Sequence, residues 1–242
     1  LRFAVISDVH GNVLALDAVL ADIERQGVEA VLCLGDNVSG PVDPAGAAER
    51  LMAVDGPSIR GNHDRWVVDP ERLAAGSGSV DHLAHSLLSA SQLEWLAALP
   101  ETAIYADNVF LCHGTPQSDE GTWLDNFYTG RTTTLPSLEQ VTALAEGLDY
   151  PVLLCGHTHT PRAVRLLDGR LIVNPGAVGM QLVHGSPDAR YAIVEKRVSG
   201  WHTHFLAVPY DHEEAARRAA DNGFPQWAQS LTNGWVGPSS LG

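Results

Sequence analysis

Short apolar runs alternate along the chain with segments whose apolar positions recur every three or four residues, the pattern of strands interleaved with helices. Phe3–Ser7 is the first predicted strand. From Val13 to Arg25, Val13, Leu16, Val19, Leu20 and Ile23 share one face, which predicts an amphipathic helix stopped by Gly27. Ala30–Leu34 is a second strand, and Pro44 to Ala53 a second helix with Asp43 as N-cap. Ser58–Arg60 reads as a short third strand. Residues 63–99 read as mostly helical, broken at Gly76-Ser77-Gly78-Ser79. Two strand-like pieces between Thr102 and Cys112 meet at Asp107-Asn108, a predicted hairpin turn. Gly114–Pro136 has weak periodicity and many turn residues, and a loop of that length in a compact domain is usually functional or mobile. A helix over Ser137–Gly147 and a strand over Val152–Cys155 follow, then strand-rich segments at 162–174, with an Asp168-Gly169 turn, and at 190–207. Glu213–Ala220 is the last predicted helix, and the tail from Pro225 is expected either to pack or to fray.

Length and composition narrow this picture to one α/β domain over residues 1–242, with a C-terminal helix and tail over about 211–242. Hydrophobic residues at 45% and charged residues at 18% are enough to build a core, which excludes a disordered chain. No apolar run approaches the roughly 20 residues that span a bilayer, so no membrane partner is expected. The apolar start Leu1-Arg2-Phe3-Ala4-Val5-Ile6 is too short for a secretory core. Cys33, Cys112 and Cys155 are odd in number with no close pair, which argues against a disulfide framework and for a reducing cytoplasm. A formal charge of −14 excludes sequence-blind nucleic-acid binding. It does not exclude an anionic substrate, because bound cations reverse the field locally.

The chemistry-bearing residues cluster where strands end. Asp8-Val9-His10 follows the first strand, Gly35-Asp36-Asn37 the second, and Gly61-Asn62-His63-Asp64 the third. His113-Gly114 and Gly156-His157-Thr158-His159 follow two later strands. Ligands of α/β sheets bind beyond the carboxyl ends of strands, so these clusters are expected to converge on one rim. Each piece alone is weak; five in fixed order, each closing a predicted strand, favour a metal site over five unrelated turns. Two carboxylates, four imidazoles and one amide carbonyl suit first-row divalent ions rather than a thiolate-bound structural zinc. Two such ions lower the pKa of a bridging water, which becomes a hydroxide nucleophile for in-line attack on phosphorus.

In this order, Asp-x-His, Gly-Asp, Gly-Asn-His-Asp, His-Gly and Gly-His-Thr-His resemble the calcineurin-like metallophosphoesterase superfamily, over residues 3–179. The resemblance implies an α-β-β-α sandwich of two mixed β-sheets flanked by helices. It also implies two divalent metal ions, with Mn expected and Fe, Zn, Ni or Co compatible. Asp8, His10 and His159 would hold one ion, Asn62, His113 and His157 the other, and Asp36 would bridge. His63 would protonate the leaving alkoxide or stabilise the transition state, and Asp64 is a candidate to orient it, or else a helix cap. Asn174-Pro175-Gly176-Ala177-Val178-Gly179, Pro187-Asp188-Ala189-Arg190-Tyr191-Ala192 and Val208-Pro209-Tyr210-Asp211 resemble the small bacterial and archaeal phosphodiesterase branch. Asn174-Pro175-Gly176 would brace the metal rim.

One departure bears on substrate. The Ser/Thr protein phosphatase branch follows its Gly-Asp with an Asp-Arg pair whose Arg grips phosphate, whereas this chain reads Gly35-Asp36-Asn37-Val38-Ser39-Gly40. A bidentate guanidinium matters most for a dianionic monoester, so its absence favours diesters. Asn37, Arg60 and Arg131 are the candidate substrate-binding residues. The expected partner is therefore a small phosphate ester, with a nucleotide among the candidates. Trp123, Phe127 and Tyr128 in the long loop would stack a base if the chain were instead a diadenosine polyphosphate hydrolase, though packing within the loop is the simpler expectation. A phosphomonoesterase or protein phosphatase is a further alternative, and a non-catalytic scaffold is disfavoured because no ligand position is eroded. His202 and His204 alternate in a strand and are expected to be surface residues rather than a second metal patch.

Overall fold

The structure, a computed structural model, describes residues 1–75, 78–126 and 133–235. Two mixed sheets form its centre. The first has the order β2 (Val31–Cys33), β1 (Arg2–Ile6), β8 (Ala189–Arg197), β9 (Gly200–Val208). β1 runs parallel to β2 and antiparallel to β8. The second has the order β3 (Ala103–Tyr105), β4 (Val109–Leu111), β5 (Val152–Leu154), β7 (Leu171–Asn174), β6 (Arg162–Arg165). Its middle strands β4, β5 and β7 are parallel, and β3 and β6 close the edges antiparallel.

Strand alternation explains why the sheets stack. Phe3 and Val5 of β1 point into one apolar layer with Val109 and Leu111 of β4, Val152 and Leu154 of β5, and Val173 of β7. The intervening Ala4 and Ile6 face the opposite way, onto Ala15, Leu16, Val19 and Ile23 of α1 (Val13–Gln26). On the far side Phe110, Leu153 and Ile172 face Val141 of α7 (Leu138–Leu144). Strands covered on both faces are apolar at every position, which is why they read as continuous runs. The layering is the α-β-β-α sandwich implied by the motifs.

Local signals set the helix ends. Asn12 accepts from the Ala15 amide and Gly27, at φ 62°, terminates α1. Asp43 accepts from Gly46 N at 2.9 Å to start α2 (Pro44–Met52). The helical stretch after β2 resolves into α3 (Asn62–Val67), α4 (Pro70–Ala75), α5 (Val80–Leu87) and α6 (Ala90–Ala98), and α3, α5 and α6 pack on a small core of Val38, Ala48, Val67, Ala84, Leu88 and Leu96. Gly76 and Ser77, within the expected break, lie outside the described residues.

Two expectations shift, and one left open is decided for the described residues. Ser58–Arg60 contributes only a single bridge, Ser58 to Cys33, because β2 offers three residues to pair with and Arg60 N turns away to Pro100 O. The β3–β4 turn is centred on Ala106-Asp107, both at positive φ (48° and 55°), one residue earlier than expected. Two successive left-handed residues match the twist of a tight hairpin, and Asn108 helps by donating to Ala106 O. The C-terminal segment packs: α8 (His212–Asp221), a 3₁₀ turn over Pro225–Trp227 and α9 (Ala228–Asn233) bury Ala215, Ala219, Phe224, Trp227 and Leu231 against Val42, Val80 and Met180. All three cysteines are buried and free. Among the described residues no helix is long and apolar enough to cross a membrane.

Leu154 is fully buried between the sheets. Leu154→Ala is expected to cost about 2–5 kcal/mol of stability, read as a lower urea midpoint with unchanged slope.

Candidate metal centre

The first sheet delivers Asp8 and His10 beyond β1 and Asp36 beyond β2. The second delivers His113 beyond β4 and His157 and His159 beyond β5. The loops are cross-laced by their backbones: Asp8 N donates to Gly35 O at 3.0 Å, His10 N to Asp36 O at 2.9 Å, Gly156 N to His113 O at 2.6 Å, and Gly179 N to Asp8 O at 3.0 Å. These contacts leave no room for side chains at the corners. A Cβ on Gly61 would meet Asp36 Oδ1 at 2.2 Å, and one on Gly156 would meet Ser7 Oγ at 2.0 Å.

The lacing forces an uncommon backbone. Among the described residues, the non-glycine positions at positive φ are Asp8 (54°), His10 (46°), Asp36 (53°), His157 (67°) and His159 (58°), plus the two residues of the β3–β4 turn. Each left-handed residue costs on the order of 1 kcal/mol and persists only where surroundings over-determine it. Apart from that turn, the strain falls entirely on candidate metal ligands.

Second contacts aim each ligand. His10, His113 and His159 donate Nδ1–H to the carbonyls of Ser39 (2.8 Å), Leu34 (2.7 Å) and Met180 (2.8 Å), which directs each Nε2 inward. Asp8 Oδ2 accepts from His157 N at 3.1 Å and Asp36 Oδ1 from His63 N at 2.9 Å, so each carboxylate keeps its other oxygen for the interior. Asp8 Oδ1 lies 3.4 Å from His159 Nε2, and Asp36 Oδ2 lies 3.2 Å from His113 Nε2 and 3.8 Å from His10 Nε2. Asn62 Oδ1 is 3.1 Å from His113 Nε2. Asn174 Nδ2 donates to Gly156 O at 2.7 Å and Thr158 Oγ1 at 3.0 Å, bracing the His157 loop.

Two triads of ligand atoms result, Asp8–His10–His159 and Asp36–His113–His157, each buried and each within 4.8 Å internally. The donor set fits divalent cations. The inward Nε2 atoms of His10 and His159 stand 3.1 Å apart, and with both Nδ1 atoms donating outward, either a shared proton or a metal ion answers the two facing nitrogens. Charge points the same way. Burial and the neighbouring His159 hold His10 down at about 4, and burial and His113 do the same for His157, so both are neutral bases at pH 7. Burial would lift Asp8, but the imidazoles, His159 first, pull it to about 2; Asp36 is likewise driven well below the carboxylate range, with His113 the chief counterweight to burial. Against its own burial, His113 is pushed up to about 10 by Asp36 and Asp8.

His63 differs from the others. Its side chain is 28% exposed and reaches the cavity beside the triads, its ring 5.3 Å from that of His10. Its Nδ1 donates to Asp81 Oδ1 at 2.9 Å, and Ser39 Oγ donates to the same oxygen. Burial works against the His63 proton, but Asp36 and Asp81 outweigh it and raise the pKa. The orienting contact expected from Asp64 is thus made by Asp81, near the start of α5. Asp64 is fully buried and accepts from Gly61 N (2.9 Å), Asn37 N (2.8 Å) and Asn37 Nδ2 (2.7 Å), the helix-capping alternative. Burial and Asp36 raise its pKa to about 7.

The expected substrate contacts are also redistributed. Asn37 is fully buried and spends its amide on Asp64, Ile59 O and the Cys33 thiol, so it faces the core. Arg60 pairs with Glu101 outside the cavity, and Arg131 lies outside the described residues. The cavity's arginine is Arg72 of α4, its guanidinium 3.8 Å over Trp66. Trp123 is buried and donates to Val141 O at 3.0 Å, which removes it from base stacking; Phe127 and Tyr128 lie outside the described residues. His204 pairs with Glu195, and His202 contacts Ser199, as surface histidines do.

Comparison with known proteins agrees with this geometry. Residues 1–198 match the family model of the calcineurin-like phosphoesterase superfamily domain. The Methanocaldococcus jannaschii protein MJ0912 is 28% identical over 245 residues, covering 93% of this chain and 94% of its own. The crystal structure of a metallophosphoesterase from Sphaerobacter thermophilus aligns with TM-score 0.79 at 26% identity, covering 97% of this chain and 100% of that one. PH1004 from Pyrococcus horikoshii OT3 shares the fold, with TM-score 0.77 at 21% identity and 97% and 99% coverage.

The Asp81 contact predicts a spectroscopic change. In metal-free protein, Asp81→Asn is expected to lower the His63 pKa, followed as the imidazole proton shift against pH. An unchanged titration would mean that Asp81 does not hold the His63 proton.

Proposed function

Because the chain belongs to the calcineurin-like phosphoesterase superfamily, we propose that it is a dimetal-dependent hydrolase acting on phosphodiesters. The observation that carries this reading is the pair of adjoining triads, with Asp36 Oδ2 within 4 Å of imidazoles from both. Asp8, His10 and His159 would hold one ion, and Asn62, His113 and His157 the other, with Asp36 between the two groups. When bound, such ions lower the pKa of water toward neutrality and offset the charge of the ester. Nitrogen and oxygen donors suit Mn²⁺ and equally admit Fe, Zn, Ni or Co.

The protein's own groups do the rest. The Nδ1–H bonds to Ser39, Leu34 and Met180 fix three imidazoles in direction with Nε2 toward the cluster. His63 holds a proton on the cavity side of the cluster, poised for the leaving oxygen, and Asp81 keeps the ring in place and favours its charged form. A diester needs less cationic grip than a dianionic monoester, and the loop Gly35–Gly40 supplies no arginine. The dinucleoside polyphosphate alternative loses one support with the burial of Trp123.

The test is hydrolysis of bis-p-nitrophenyl phosphate beside p-nitrophenyl phosphate, with Mn²⁺ returned to chelator-stripped protein. The expected result is a kcat/KM ratio favouring the diester by at least about tenfold, lost on chelation; a monoester preference contradicts the assignment. His63→Asn is expected to lower kcat by about 10²–10⁴-fold at unchanged metal content.

A further inference from the structure

The second triad, joined by Asn62 in the proposed ligand set, draws its groups from elements that pack separately. His113 follows β4, whereas Asn62, whose Oδ1 lies 3.1 Å from His113 Nε2, opens α3 just before His63. α3 packs chiefly against α4, α5 and α6. Beside His113, a polar cavity of about 290 Å³ lies between α3 and the loop after β4, lined by Arg65, Glu101, His113, Thr115, Gln117 and Asp119 among others. Across such a gap, hydrogen bonds rather than apolar packing set how Asn62 stands to His113.

Arg65 spans the gap. Its Nε–H donates to Asp119 Oδ2 at 2.9 Å and its Nη2 to Asp119 Oδ1 at 3.0 Å, a two-pronged pair, and Nη2 also reaches Glu120 Oε1 at 2.8 Å. Held by two carboxylates, this guanidinium is spoken for and does not serve to grip a phosphate. Among the described residues, hydrogen bonds from α3 to the loop come from Arg65 and Asn62 alone. Asp119 is in turn fixed to His113. Thr115 and Ser118 exchange backbone hydrogen bonds at 2.8 and 3.2 Å. The loop also closes over Gly114 so tightly that a Cβ there would meet Gly121 O at 2.5 Å and Asp119 O at 2.9 Å. The Arg65 and Asp119 side chains are 35% and 22% exposed, so the pair is shielded from the full solvent screening that weakens open surface pairs. Arg65 stands three positions after Asn62, one turn along α3, so the contact acts directly behind the ligand.

We propose that Arg65 is a positioning residue: through Asp119 it holds Asn62 against His113 and so sets the affinity of the second triad for its ion. The first triad, Asp8–His10–His159, takes no group from α3, so its ion lies outside the reach of this clamp. The inference rests on the two-ion reading and adds an asymmetry to it: breaking the clamp weakens one ion and spares the other. A general loss of stability would weaken both.

Isothermal titration of chelator-stripped protein with Mn²⁺ tests this. Wild type is expected to bind in two steps, and the step that Asn62→Ala removes is the second triad's. Arg65→Gln should weaken that step about tenfold and leave the other within about twofold. Asp119→Asn should weaken the same step, and the double variant should lose no more than the larger single loss, because both changes act on one pair. Arg65→Lys, which keeps the charge but not the fork, should fall between wild type and Arg65→Gln. Arg50→Gln, which breaks the pair with Asp17 away from the site, should leave both steps as in wild type. Two wild-type steps that survive Arg65→Gln unchanged, that weaken equally, or of which Asn62→Ala removes neither, overturn the clamp and leave two-ion binding standing. A single wild-type step overturns both.

Discussion

Asp8 and Asp36 are two fully buried carboxylates that share one imidazole-lined space. Burying two like charges together is unfavourable unless cations or protons answer them. The surrounding construction follows from meeting that demand. Backbone amides of His157 and His63 each satisfy one oxygen per carboxylate, and carbonyls outside the cluster fix three imidazoles with Nε2 inward. Five ligands are held at positive φ by the lacing of loops from both sheets. A sandwich whose layers are apolar throughout can hold such loops rigidly, and the local strain is offset by burial elsewhere in the core.

The candidate metal triads and the walls of the cavity above them have different origins in the chain. The triads come from strand ends within the two sheets. The cavity walls come from α3–α5, from the loop between β7 and β8, and from the C-terminal segment after β9. Loop and helix additions on a fixed scaffold can therefore alter selectivity without touching the ligands, which is how one fold serves many substrates.

What the sequence revealed, and what it hid, divides along the same line. The candidate ligand positions Asp8, His10, Asp36, His113, His157 and His159 were readable because each lies just beyond a strand, whereas Asn62 follows only the single Ser58 bridge. The first strand was readable as a buried run, but not which of its faces meets the second sheet, because it is apolar at every position from Phe3 to Ile6. Asp81 was not readable: it stands eighteen positions after His63, across two short helices, where an acidic residue in a first helical turn looks like ordinary dipole compensation. Asp64 was the nearer candidate, but position 3 of a helix behind Gly61 directs its carboxylate back to the Gly61 and Asn37 amides. Arg60 and Arg72 are equally plausible by composition; only packing shows that Glu101 draws the first away and Trp66 holds the second in the cavity. Trp227 follows a proline and lies in a segment without strong periodicity, so its burial emerges from tertiary contacts with α8 and Met180.

The central claim is that the cluster binds two divalent ions, one in each triad. Its most direct test is an anomalous difference map at the manganese edge from crystals grown with Mn²⁺. The account predicts two peaks, one among Asp8, His10 and His159 and one among Asn62, His113 and His157, with Asp36 against both. A single peak, or ions bound elsewhere with the cluster held together by protons alone, would contradict it.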